Sequence, residues 1–126
     1  DVIQPDICHA GGISELRRIA SAAETEHILV APHNPNGPVA SAASVQLCAA
    51  IPNFKILETA RDMPWHDTVQ KNPLKIIDGF YELPTEPGLG IDLDEDVIAQ
   101  RPYNEDGAHS IYRPSINALD GAPEDV

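Results

Sequence analysis

Three ionisable side chains follow apolar stretches at nearly even intervals: Asp6 in VIQPD, His33 in ILVAPH and Glu58 in FKILE. The step from Asp6 to His33 is almost the same as the step from His33 to Glu58. One strand, one loop and one covering helix occupy about that length in a parallel α/β fold, so the spacing predicts three side chains at the same ends of neighbouring strands. Those carboxyl ends are where barrels and open parallel sheets build active sites. Adjacent strands lie about 4.8 Å apart, close enough for Asp6 and His33 at matching ends to hydrogen-bond. The carboxylate then fixes the imidazole tautomer and leaves the outer ring nitrogen facing the cavity, as a general base or acid requires. Asp6 also fits a buried loop anchor, and a lone strand-end histidine also fits a structural role.

Glu58 has three open readings: a metal ligand, a hydrogen-bond partner for a substrate oxygen, or a surface partner of Arg61. His9 follows Asp6 by three residues and either lines the same mouth to bind substrate or is a loop histidine without a role. Trp65 either roofs the cavity over a substrate or packs. His66 and His109, in proline-rich stretches, are expected to be solvated. The chain contains no P-loop, GxGxxG, CxxC or GxSxG element, so nucleotide cofactors and serine-type nucleophilic catalysis have no support.

The elements that must position these residues can be read locally. Gly11 and Gly12 make a flexible loop after a strand tail at residues 1–5. Ser14 is placed to cap a helix whose Leu16, Ile19, Ala20 and Ala23 share one face. His27 to Ala31 reads as a buried parallel strand. Residues 32–38 break the pattern with three prolines and a glycine, and Gly37-Pro38 resembles an N-cap followed by proline in the first turn of a helix to about Ala50. Phe54 to Leu57 is expected to be the third strand. Two short strands joined by Asp78-Gly79 then form a type I′ hairpin across Ile76 to Tyr81. Pro84, Pro87, Gly88 and Gly90 mark a loop, and Asp94 is placed to cap a short helix through Gln100. Residues 101–126 lack periodicity and read as a partly disordered or surface-wrapped tail.

Composition sets the outer bounds. At 126 residues with 42% apolar and 5% aromatic content, the chain has enough material for a core. It opens inside a strand and offers only three parallel strands, too few to close a barrel or cover a sheet on both faces, so it reads as the C-terminal piece of a larger protein. The net charge of −12 is concentrated in the tail: residues 1–77 carry 8 acids and 6 bases, and residues 78–126 carry 12 acids and 2 bases. Such a surface repels phosphate backbones and anionic lipid, which speaks against nucleic-acid or membrane-surface binding. No apolar run approaches a membrane span. Cys8 and Cys48 lack metal-ligand spacing and read as buried free thiols, in keeping with a reducing, cytoplasmic setting.

The segments QPDICHAGGISELRRIA, APHNPNGPVASAA, FKILE and ELPTEPGLGIDLDE together resemble the C-terminal part of the enolase superfamily. The resemblance is to its mandelate racemase branch and, within it, the acid-sugar dehydratases of the galactonate and gluconate type. It implies an α/β fold, with the chain supplying about strands six to eight of a modified TIM barrel. Residues 1–74 would be barrel, residues 75–100 a hairpin and short helix returning to an N-terminal capping domain, and residues 101–126 an acidic irregular tail. By the same resemblance Asp6 and His33 match the aspartate and histidine of the family dyad, and Glu58 the glutamate at the substrate's carboxylate end. A lysine at the sixth strand would have pointed toward muconate-lactonizing relatives instead.

The implied reaction removes the proton α to a carboxylate of a sugar acid, with Mg²⁺ holding the enediolate, and then expels the β-hydroxyl to give a 2-keto-3-deoxy acid. The α-proton is too weakly acidic for histidine alone, so the metal carries much of the barrier. The family's metal carboxylates belong to earlier strands, so this chain is expected to supply no metal ligand and to be inactive by itself. The full-length protein is expected to be a homo-oligomer, octameric or dimeric. A racemase or epimerase of a 2-hydroxy acid is the second enzymatic reading, and a truncated remnant or acidic interaction module the third.

Overall fold

The computed structural model describes residues 1–60 and 65–100. The irregular tail, the solvated reading of His109 and the Arg61 partner of Glu58 lie outside the described residues. The chain divides into two units, Asp1–Asp94 and Glu95–Val126.

The first unit is organised by a parallel ladder. Strand β1 (Val2–Ile3) pairs with β2 (Leu29–Val30), Val2 opposite Leu29 and Ile3 opposite Val30. The pairing continues past the strands, because the N–H groups of Leu29, Ala31 and His33 donate to the carbonyls of Asp1, Ile3 and Pro5 at 3.1, 2.9 and 3.2 Å. Pro5 has no N–H, but its carbonyl faces β2 and the ladder needs nothing more from it. The register set by Val2 and Leu29 therefore persists unchanged to a bridge between Asp6 and His33.

On the other side of β2, Val30 bridges Phe54 in parallel, the only residue of the expected third strand that pairs in this way among those described. Lys55 N–H donates to the Val30 carbonyl. A regular ladder would then join Leu57 to Pro32, but it is Glu58 N–H that donates to the Pro32 carbonyl. One extra residue has entered the outer chain between these bonds, as in a bulge. This slip brings Glu58 level with His33.

Helix α1 (Ile13–Thr25) buries Leu16, Ala20 and Ala23. Its N-cap is Gly12 with no side-chain cap, so the expected Ser14 cap is corrected to Gly12. Gly11 and Gly12 take φ angles of 105° and 85°, which let the chain enter the helix before Ser14. At the other end, His27 N–H bonds to Glu24 O at 3.0 Å and Ile28 N–H to Ala23 O at 2.9 Å. These are the two bonds of a Schellman stop, with His27 at φ 57° in the position glycine favours. The expected strand beginning at His27 therefore starts at Leu29.

Helix α2 (Pro38–Ala50) begins where Gly37-Pro38 predicts and buries residues around most of its circumference. Ala43 and Leu47 join Leu16, Ala20, Ala23, Val30 and Ile7 in the main core. Ala42 and Val45 face the opposite way and pack with Leu74 beneath Leu57, Tyr81, Leu89 and Ile91. Buried Asn53 ties the main core together, its Nδ2 donating to the carbonyls of Ala20 and Ile28 at 3.0 Å each.

The remaining elements close over the second face of α2. Strands β3 (Ile76–Ile77) and β4 (Phe80–Tyr81) pair antiparallel, and Asp78 and Gly79 both take positive φ, as the I′ turn requires. Lys71 N–H donates to Asp92 O and Asp94 N–H to Val69 O, clamping residues 69–71 to 92–94. Gly90 lies so close to Pro84 that any Cβ there would collide with the ring. In the second unit, α3 (Glu95–Ala99) starts directly after Asp94.

Two expectations about burial are corrected. His66 is 2% exposed rather than solvated, because a hydrogen-bonded turn over residues 65–70 places His66, Val69 and Gln70 at helical spacing on its inner side. Cys8 is exposed rather than buried, since Asp6 and Ile7 occupy the inward positions before it; Cys48 is buried as expected. Both thiols are free, and burial pushes that of Cys48 up to about 12. Among the described residues no helix is long and apolar enough to cross a membrane.

The Schellman stop yields a stability test. Replacing His27 by glycine removes the αL cost of an L-residue, about 1–2 kcal/mol, against a glycine entropy penalty of about 0.5–1 kcal/mol. The expected outcome is a gain of about 0.5–1 kcal/mol in denaturant unfolding; a loss would mean that the His27 side chain holds a contact outweighing its backbone strain.

Candidate active site

The parallel ladder delivers Asp6 and His33 side by side. His33 Nδ1 lies 2.8 Å from Asp6 Oδ2, which makes Nδ1–H the donor to a carboxylate that can only accept. Asp6 is 7% exposed. Its other oxygen, Oδ1, accepts the Cys8 backbone N–H at 2.7 Å. Oδ2 also accepts Asn36 Nδ2 at 2.9 Å. Burial pushes the Asp6 carboxyl up. The hydrogen bonds from Asn36, His33 and Cys8, with the positive field of His9, outweigh it and hold the group below the usual carboxylate range.

The opposite face of His33 looks toward Glu58. His33 is half-exposed, and its Nε2 stands 4.0 Å from Glu58 Oε2. That gap is too long for a hydrogen bond and short enough for one ligand oxygen to touch both atoms. Glu58 is aimed by Asn34, whose backbone N–H donates to Oε2 at 3.2 Å and whose Nδ2 donates to the Glu58 carbonyl at 3.2 Å. Asn34 is fully buried and also donates to Ser41 Oγ on α2 at 3.1 Å, so the loop, the helix and the third strand end are joined through one side chain.

The proline-rich loop is therefore a bracket rather than a spacer. Asn34 grips the acid on one side of His33, and Asn36 grips the acid on the other. Neither asparagine is among the site residues expected from the sequence. The signal available is their place just after His33, between prolines that cannot supply N–H donors.

His9 stands beside Asp6, exposed and close enough to act on its charge, with its backbone N–H donating to the Asp6 carbonyl at 3.2 Å. The Trp65 indole lies over Gly37, where an added Cβ would be 3.8 Å from its ring, so it flanks the loop beside Asn36. The structure thus brings Asp6, His33 and Glu58 together, sets His9 next to Asp6 and places Trp65 against the loop that carries His33. Among the described residues no three His, Cys, Asp or Glu side chains come together as a metal cage.

Comparison with known proteins agrees with this architecture. Residues 1–97 match the family described as enolase C-terminal domain-like, and the chain belongs to that family. Its fold is the C-terminal part of the enolase-superfamily barrel, an α/β architecture. Over 127 aligned residues, covering 99% of the chain and 30% of the relative, it is 37% identical to a D-galactonate dehydratase family member of Streptomyces bingchenggensis. It is 42% identical to a D-xylonate dehydratase of Haloferax volcanii, with 78% of the chain and 24% of the relative covered. The crystal structure of a mandelate racemase/muconate lactonizing enzyme from Sulfitobacter sp. superposes with a TM-score of 0.78 at 39% identity, over 84% of this chain and 26% of that one. The chain thus spans less than a third of the length of these proteins.

The Asp6 environment makes stability depend on acid. A carboxyl with a lowered folded pKa contributes stability that is fully present above its ordinary value of 3.8 and is lost as pH falls through the lowered value. In unfolding titrations across this acid window, Asp6→Asn is expected to lack that component of the wild-type loss. Parallel curves for the two proteins would show that Asp6 is not held below its ordinary range.

Proposed function

We propose that the protein carrying this chain dehydrates a sugar acid, an aldonate such as galactonate or gluconate, to a 2-keto-3-deoxy acid. The observation that carries the reading is the orientation of His33. One ring nitrogen is committed to Asp6 at 2.8 Å, and the other is left on the exposed side, 4.0 Å from Glu58. Membership in the enolase C-terminal domain-like family and the dehydratase names of the relatives support it.

In this reading His33 takes the α-proton of the substrate at Nε2, and Asp6 stabilises the imidazolium that results. The β-hydroxyl leaves with a proton as water, and the enol left behind ketonises. Glu58 shares a hydrogen bond with the carboxylate end of the substrate, held there by Asn34. His9 and Trp65 flank the mouth and contact the distal part of the sugar acid. Residues 75–100 form the return to a capping domain. The Mg²⁺ of the family reaction would be held by carboxylates on the barrel strands that the family places before those of this chain, and when bound would stabilise the enediolate charge.

His33→Asn in the intact protein is expected to lower turnover by at least about 10³-fold with the fold retained, a loss in the range for a general base. Near-normal turnover would sink the assignment. The 126 residues alone are expected to turn over no sugar acid with or without added Mg²⁺. The racemase or epimerase reading uses the same proton abstraction and is told apart by product: a keto acid marks dehydration, an inverted 2-hydroxy acid marks epimerisation.

A further inference from the structure

The proposed chemistry assigns work to Asp6, His33 and Glu58 and leaves Asn36 without a role. Its amide nevertheless occupies an informative position. Asn36 Nδ2 and His33 Nδ1 converge on one carboxylate oxygen, Asp6 Oδ2, at 2.9 and 2.8 Å. The Cys8 backbone N–H holds the other oxygen at 2.7 Å. A carboxylate fixed at one oxygen alone can still rotate about its Cβ–Cγ bond. Fixed at both, it presents a single lone-pair direction to the imidazole. Apart from the imidazole that the carboxylate orients, Asn36 supplies the second point.

Its surroundings let it do so reliably. Asn36 lies on the loop between Pro35 and Gly37, directly before the N-terminus of α2, so its backbone is anchored by the helix that fills the core. It also borders an open, mostly apolar groove of about 610 Å³ walled by Ile7, Cys8, Ile13, Pro38 and Ala43. Its side chain thus stands between that groove and Asp6. The titratable groups that face Asp6 are His33 across the ladder and His9 and Cys8 on its own loop. Glu58 lies beyond His33.

We propose that Asn36 is a positioning residue for the Asp6–His33 pair, fixing the rotation of the Asp6 carboxylate so that Oδ2 holds the His33 ring in its proton-transferring orientation. The catalytic consequence rests on the dehydratase reading; the positioning itself does not. An amide suits the task because it donates without charge. Arginine or lysine there would bind the carboxylate as a competing cation, and aspartate would set a second negative charge against it.

The test uses two variants of the intact protein, Asn36→Leu, similar in size, and Asn36→Ser, polar but too short to reach. The ¹³C resonance of the Asp6 carboxyl is titrated in each, and kcat and KM are measured with sugar acids. Both variants are expected to shift the Asp6 midpoint upward, since a donor to the charged form is lost. They are also expected to lower kcat about tenfold with KM within about twofold, the pattern of lost alignment rather than lost binding. An unmoved midpoint in either variant overturns the proposal, and so does an unchanged kcat in a protein that turns over its substrate. If the midpoints rise but the unsubstituted protein dehydrates no sugar acid, the positioning role stands and the dehydratase reading falls.

Discussion

The parallel ladder between residues 1–5 and 29–33 is the constraint on which the rest of the site depends. Strand side chains alternate between faces, so a slip of one residue would turn His33 away from Asp6 and toward the opposite side of the sheet. Nothing in the two short strands alone prevents that slip. The register is held by what lies on either side: α1 buries Leu16, Ala20 and Ala23 against Val30 and Ile7, and Asn53 pins the carbonyls of Ala20 and Ile28 from below. Packing behind the sheet thereby decides a hydrogen bond at its edge. The Asp6–His33 contact is the visible end of that chain of causes.

The loop over residues 32–38 solves a second problem. Prolines at 32, 35 and 38 remove three backbone donors in a stretch that runs between two acids. Buried or half-buried carboxylates need donors, and a proline-rich loop is poor in them. Asn36 meets the need of Asp6 from its side chain, and Asn34 meets that of Glu58 from its backbone N–H while its side chain holds the Glu58 carbonyl. What the prolines remove in hydrogen bonding they return in stiffness, because fixed φ angles limit how far the loop can move. Each asparagine is then a rigidly mounted donor, and His33 sits between two acids whose positions are both set by its own loop.

How much of this can be read in the residues follows from the range of each interaction. The Asp6–His33 contact is legible because its spacing equals the register offset of β1 and β2: Val2 to Leu29, Ile3 to Val30 and Asp6 to His33 are the same step. The start of α2 is legible because Gly37-Pro38 is a local signal. Spacing places Glu58 at the right level, yet its route there is not legible. The register of Val30 with Phe54 would bring Leu57 beside His33, and only the slip before the Glu58–Pro32 bond puts Glu58 there instead. Two glycines in succession hide the start of α1, since either can open a helix and Ser14 is an equally good cap by type. His27 hides the start of β2, because a histidine at φ 57° is held by the tertiary fold against its own preference. Asn34, Asn36 and Asn53 escape notice because they bond to partners remote along the chain and leave no periodic trace. His66 escapes for a related reason: its burial follows from one short turn whose inner face is decided by what it packs on.

The acids around His33 are oriented by hydrogen bonds from uncharged donors. Two acids flank it, and the donors that orient them are neutral amides and backbone N–H groups. Their dipoles fix each carboxylate in space without setting a cation against it. Had the same geometry been held by lysine or arginine, each acid would have carried a fixed counter-charge beside it. The outer nitrogen of His33 lies on the side of Glu58, 4.0 Å away. A ligand oxygen entering that gap meets an already oriented pair, and the reorganisation that water would otherwise impose has been done in folding.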